Sequence, residues 1–247
     1  MSNTKPKETV VLIHGLAESS DRMEAIGFWL AQMGYPIVNV DYPSTSYNAE
    51  ELINNHFKAI LMEYSEKPVS FVTHSLGGVL LHCSLQKYPL PNLKRVVMIA
   101  PGHKGSEIFT LYRYNPIFSQ FMGPILQESG RDQDCFSLNY SQQANYEVGI
   151  IAGCLPSDPI SLFTIPWPHD GRLSVDSTRL KGMKDHMIVP AGHEFITFNP
   201  IAIAETIHFL EHGYFLKNVL DANPLSVEKS FQPNLISNTS TPLQIAL

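Results

Sequence analysis

The stretch SFVTHSLGGVL, residues 70–80, decides the fold. β-favouring residues run into a polar pair, His74-Ser75. Two glycines follow at once, and then residues with helical spacing. A chain that turns this sharply from a buried strand into a helix needs glycine where a side chain would collide. The same turn would also hold the Ser75 hydroxyl up at the sheet edge as a nucleophile. The plain turn asks only for a strand before and a helix after. The nucleophile also asks for a base, an acid and donors for an oxyanion.

The surroundings supply the strand and the helix. PVSFVT (68–73) reads as a strand and residues 76–88 as a helix. TVVLIHG (9–15) is a short β-branched run ending in glycine, as expected of a buried parallel strand. Over 22–33, Met23, Ile26, Leu30 and Met33 fall on one helical face, with Gly34 as the cap. YPIVNVDYP (35–43) is a second strand between prolines. Asn48 and Glu51 have the spacing of a capping box ahead of a helix carrying Leu52, Phe57, Ile60, Leu61 and Tyr64. LKRVVMIAP (93–101) is a further strand. This alternation predicts a parallel sheet with helices on both faces, and functional groups at the carboxyl ends of its strands.

The rhythm breaks at 102–144, where Phe109, Tyr112, Tyr114, Phe118, Phe121 and Phe136 stand among polar residues. An inserted, partly helical cover over the active edge is expected there, with Gly105, Gly123 and Gly130 as hinges. YEVGIIAGC (146–154) restores the strand pattern, and a proline-rich loop runs from Pro156 to Pro168. DHMIVP (185–190) is a last strand. Asn199-Pro200 opens a last helix that Gly213 ends. The expected domain is residues 1–221, followed by a polar tail at 222–247.

The 247 residues fit one large α/β domain, and 44% hydrophobic against 16% charged residues allow a sizeable core. A net charge of −6 without a basic cluster excludes nucleic acid as the main partner. Three cysteines, Cys83, Cys135 and Cys154, make no disulfide framework and read as reduced packing residues. The N-terminus has no apolar signal region, and no segment approaches ~18 consecutive apolar residues. The expected location is cytoplasmic, although the aromatic insert is compatible with contact at a membrane surface.

A serine hydroxyl needs a base. Among ten histidines, His193 in VPAGHEF follows the last strand and precedes the last helix, at the same edge as Ser75. His56, His82, His208 and His212 lie on helices, and His74 beside the nucleophile points elsewhere. The base needs an acid to fix its tautomer. Asp170, followed by glycine in PHDGRLSVDS, can project at the sheet edge. Asp158 is the alternative, and Asp176 and Asp185 read as solvated or capping residues. His14-Gly15 ends the first strand, so the amide of Leu16 could share an oxyanion site with that of Leu76. Neither metal-binding spacing nor a phosphate-binding loop occurs, so no metal and no cofactor are expected.

VVLIHGLAES, FVTHSLGGVL, HDGRLSVDST and AGHEF together resemble the α/β-hydrolase superfamily, in particular its lipase and esterase-like members. The order Ser, Asp, His and an elbow close to G-x-S-x-G carry the likeness, which spans about residues 8–215. Thr73 departs from it where glycine is usual. The resemblance implies the α/β-hydrolase fold, an acyl-enzyme mechanism and a lid. Its acid loop favours Asp170 over Asp158. The expected substrate is a small-molecule ester with an apolar acyl or alcohol group. Acyl transfer by the same residues, or a non-catalytic binding protein on this fold, are the alternatives.

Overall fold

The computed structural model describes residues 7–128, 143–156 and 158–216. The chain divides into two units, Met1–Leu216 and Lys217–Leu247, and all that follows concerns the first. The expected tail at 222–247, with Cys135, Phe136 and Gly130 of the insert, lies outside the described residues.

Six parallel strands form one sheet in the order β2-β1-β3-β4-β5-β6. They are β1 Thr9–Ile13, β2 Ile37–Val40, β3 Val69–His74, β4 Leu93–Ile99, β5 Val148–Gly153 and β6 Asp185–Val189. Helix α1 (Glu24–Gln32) joins β1 to β2. Between β2 and β3 run α2 (Ala49–Leu52), a π-helical turn (Ile53–Phe57) and α3 (Lys58–Glu63). Helix α4 (Leu76–Lys87) follows β3. The insert contributes α5 (Glu107–Tyr112), α6 (Pro116–Met122) and a 3₁₀ turn (Pro124–Glu128). Helix α7 (Ser161–Thr164) lies between β5 and β6, and α8 (Pro200–His212) follows β6.

The pleat sorts the core into two layers. Val11, Ile13, Phe71, Val96, Met98 and Ile150 meet the face covered by α2, α3 and α4. Val10, Leu12, Val72, Val97, Ile99 and Ile151 meet the face covered by α1 and α8. Successive side chains point to opposite faces, so strands covered on both sides are apolar at most positions.

Two details depart from the expected helices. Leu52 and Phe57 are five residues apart, more than one α-turn. The π turn absorbs the extra residue, so that Leu52, Ile53, Phe57 and Leu61 are all buried. Met33, expected on the buried face of α1, is 44% exposed because the helix ends at Gln32 and the chain turns out through Gly34. The caps follow their sequence signals: Asn48 and Glu51 form the reciprocal capping box, and Asn199 accepts from the amides of Ile201 and Ala202 ahead of Pro200.

From β1 the chain moves to one edge of the sheet, and from β3 it moves towards the other. A crevice opens outside the carboxyl ends of two strands that part in this way. The loops after β1, β3, β5 and β6 all reach this end.

Candidate active site

Ser75 sits between β3 and α4 at φ 50° and ψ −122°. Its amide donates to the carbonyl of Ile99 at the end of β4 (2.9 Å). A non-glycine residue holds such a backbone only when its surroundings over-determine it. Here they do. A Cβ on Gly77 would come within 2.4 Å of the His14 carbonyl oxygen, so α4 packs directly on the end of β1. A Cβ on Gly78 would lie 2.9 Å from the Thr73 hydroxyl. The second glycine therefore makes the room that Thr73 requires. The sequence carried this signal as a Gly-Gly pair, whose second member the elbow pattern does not demand.

The three residues singled out as nucleophile, base and acid meet at this turn. His193 Nε2 lies 3.0 Å from Ser75 Oγ, and Nδ1 lies 2.7 Å from Asp170 Oδ2. Asp170 is buried, and its Oδ1 accepts from the amides of Arg172 (2.9 Å) and Leu173 (2.8 Å) in the turn made by Asp170-Gly171. The His193 amide donates to the Asp170 carbonyl (2.9 Å), which locks the two loops together. Burial alone would raise the Asp170 carboxyl, but His193 and the two amides hold it below the usual carboxylate range. Burial alone would lower His193, but Asp170 first, then Glu194 and Glu18, raise it above the ordinary imidazole value. A proton on Nδ1 would pair with Asp170 and leave Nε2 able to accept from the serine.

Asp158, the alternative acid, is engaged elsewhere. It accepts from the Ser161 amide (2.8 Å) at the start of α7 and lies 3.6 Å from Arg172. His14 is a structural histidine. It stacks on Tyr42 (centroids 4.4 Å apart) and receives the Tyr42 amide at 3.3 Å, tying the end of β1 to that of β2. Burial lowers its pKa. Cys83 is buried within α4, away from any such turn.

Leu16 and Leu76 line the same small cavity as Ser75 and His193, of about 30 Å³. Val79 and Leu173 add apolar wall, and the insert supplies Gly105, Ser106 and Phe109. Tyr112 and Phe118 stack on each other at 4.3 Å instead, and Phe121 points out, 73% exposed. The base of the insert is anchored. Ile125 and Leu126 are fully buried, and Gly123 packs against the Thr45 carbonyl so closely that no Cβ would fit. Helix α6 itself buries no residue. Among the described residues, no group of three or more His, Cys, Asp or Glu side chains converges to hold a metal ion. Among the same residues, no helix is long and apolar enough to cross a membrane.

No protein-family model matches the chain, and no curated protein matches it. Solved structures do. The mature form of the Bacillus licheniformis lipase BlEst2 is similar at a TM-score of 0.69 and 17% identity, over 84% of this chain and 93% of that one. The metagenomic carboxyl esterase MGS0156 is similar at 0.56 and 19%, over 78% and 66% of the two chains. The RedJ thioesterase of prodiginine biosynthesis in Streptomyces coelicolor is similar at 0.52 and 15%, over 83% and 89%. At these identities the likeness is one of fold: the chain has the α/β-hydrolase fold.

Proposed function

We propose that the protein is a serine hydrolase of carboxylic esters. The observation that carries this reading is the continuous relay from Asp170 Oδ2 through His193 to Ser75 Oγ, at 2.7 and 3.0 Å, on a strained turn facing an apolar cavity. Lipase, esterase and thioesterase activities among structures of the same fold agree with it. Fold alone would not suffice, since this fold hosts many functions.

In this mechanism Ser75 Oγ attacks the ester carbonyl carbon as His193 Nε2 takes the hydroxyl proton. The carbonyl oxygen becomes an oxyanion, which the amides of Leu16 and Leu76 stabilise, at ~3–4 kcal/mol per donor. The tetrahedral adduct collapses, the C–O bond to the alcohol breaks, and His193 returns the proton to the leaving alkoxide. Water then attacks the acyl-serine, with His193 again accepting a proton, and the acid departs with Ser75 restored. Asp170 stays ionised throughout and stabilises the imidazolium.

A cavity of about 30 Å³ holds a few waters at most. In this reading a cover moves to admit a larger ester. The insert is that cover in this reading, and Phe109 is its contact with the acyl group. Acyl transfer to another acceptor would share the first half-reaction and differ in deacylation.

The test is a panel of p-nitrophenyl esters from acetate to palmitate, with wild type and Ser75→Ala. Turnover by wild type that Ser75→Ala abolishes, in a folded protein, is the expected result. Turnover that survives Ser75→Ala refutes the assignment.

A further inference from the structure

Glu18 stands three residues beyond Gly15 on the loop after β1, and no step of the proposed reaction uses it. Its side chain is only 9% exposed. Oε2 accepts the amide of Gly15 at 2.8 Å and bonds Nδ1 of His74 at 2.8 Å. Oε1 pairs with Arg22 Nε at 2.8 Å. Arg22 in turn donates to the backbone carbonyl of Glu194 and lies 3.4 Å from its carboxylate. Gly15 precedes Leu16, His74 precedes Ser75, and Glu194 follows His193. One carboxylate thus reaches a chain neighbour of each group the reaction needs: an oxyanion amide, the nucleophile and the base.

The crowding at Gly15 shows how tightly these segments meet. A Cβ there would stand 2.7 Å from Glu18 Oε2, 3.0 Å from the Ser75 Cβ and 3.2 Å from His74 Nδ1. The His74 ring lies against that of His193, with centroids 4.9 Å apart. Burial alone would raise the Glu18 carboxyl, yet His74, Arg22 and the Gly15 amide hold it down to about 2. It therefore stays an anion wherever the enzyme would work.

We propose that Glu18 is a positioning residue: through Gly15, His74 and Arg22, its carboxylate fixes the oxyanion loop, the nucleophile and the base relative to one another. This rests on the hydrolase reading of Ser75, His193 and Asp170. Misplacement by an ångström costs up to about a hundredfold in rate, so a shared anchor for three separate loops bears directly on turnover.

A purely structural anchor and a positioning anion differ in one readout. The charged and titratable groups facing Glu18 are His74, Arg22, His14 and Tyr42. Those acting on His193 are Asp170, Glu194 and Glu18. Glu18→Gln keeps the shape and removes one anion from around His193. The imidazolium then loses some stabilisation, so His193 titrates at lower pH. A loss of packing alone would slow the enzyme without that shift.

The experiment follows phosphonylation of Ser75 by a fluorophosphonate probe, alongside NMR titration of His193 in histidine-labelled protein. Glu18→Gln is expected to slow phosphonylation about ten- to hundredfold and to move the His193 midpoint to lower pH, with Glu18→Asp recovering part of both. Phosphonylation within about twofold of wild type, with an unmoved midpoint, overturns the proposal. If Glu18→Gln does not fold, Arg22→Gln takes its place, since it removes the pairing with Glu18 Oε1 and Glu194 and leaves the Gly15 and His74 bonds. Slower phosphonylation that Arg22→Lys restores in part then supports the proposal, and a wild-type rate overturns it. Wild type that takes no label at Ser75 refutes the hydrolase reading instead. The His193 midpoint still decides on Glu18 in that case, because equal midpoints in wild type and Glu18→Gln overturn its role regardless of turnover.

Discussion

The turn at Ser75 and the helical insert of α5 and α6 face the same cavity, and they are built on opposite terms. Around Ser75 nearly every group is buried and bonded. The elbow amide reaches β4, α4 packs on β1 without a side chain between them, and Asp170 is held by two amides as well as by His193. In the insert burial is patchy: Ile108 is buried in α5, Arg113 just after it, and Ile125 and Leu126 at the base. Tyr114 and Phe121 stand in solvent, 76% and 73% exposed, and α6 buries nothing. Few buried contacts mean low local stability, the property that moving covers need. On the proposed reading the turn would serve the chemistry and the exposed part of the insert would serve access to it.

Substitutions can break this comparison, and the largest effect belongs to the buried half. His193→Ala removes the proposed base, and loss of one such member costs about 10⁶ in kcat where triad residues act as a unit. Steady-state turnover of a short ester in a variant folded by circular dichroism checks it. Asp170→Asn comes next, because asparagine holds the wrong histidine tautomer, at about 10⁴ in kcat. Asp158→Asn keeps a side-chain oxygen to accept from the Ser161 amide and is expected to leave turnover close to wild type. The same assay on both variants separates the two acids.

How much of this was legible follows from which interactions are local. Alternating strands, helix caps and the Ser75 turn are written in neighbouring residues, and they read directly. The match between Thr73 and Gly78 was hidden, because a departure from the elbow pattern is compensated five residues later in three dimensions. Glu18 was hidden more deeply. Its partners lie 3, 4 and 56 residues away, and a lone glutamate on a loop looks like any solvated charge. The insert was legible as an interruption, but its aromatics gave no sign that Phe109 alone among those described lines the cavity while Phe118 stacks on Tyr112. The π turn arises because the apolar positions of that helix are spaced for no single period.

Within the insert, base and tip are expected to diverge. Ile125→Ala empties a fully buried site and should cost about 2–5 kcal/mol in chemical denaturation. Phe121→Ser should change stability by no more than about 0.5 kcal/mol. Phe109→Ala is expected to alter the ester chain-length profile while short esters keep most of their rate. An unchanged profile would make the insert a static excursion.

A smaller effect sharpens the electrostatics. The base must be neutral to accept the serine proton, and His193 is raised above the ordinary imidazole value. Activity should therefore fall on the acid side, with kcat/KM halved at a pH above ~6.5. Asp170→Asn removes the main cause of the shift, so the residual activity should extend to lower pH.

The central claim is that Ser75 is a nucleophile activated by His193. Its most direct test is intact-mass and peptide analysis after treatment with a fluorophosphonate, on wild type and His193→Ala. The expected result is one adduct per wild-type chain, on Ser75, and formation slowed by orders of magnitude in the variant. A wild-type chain that stays unmodified, or an adduct on another residue, would contradict it.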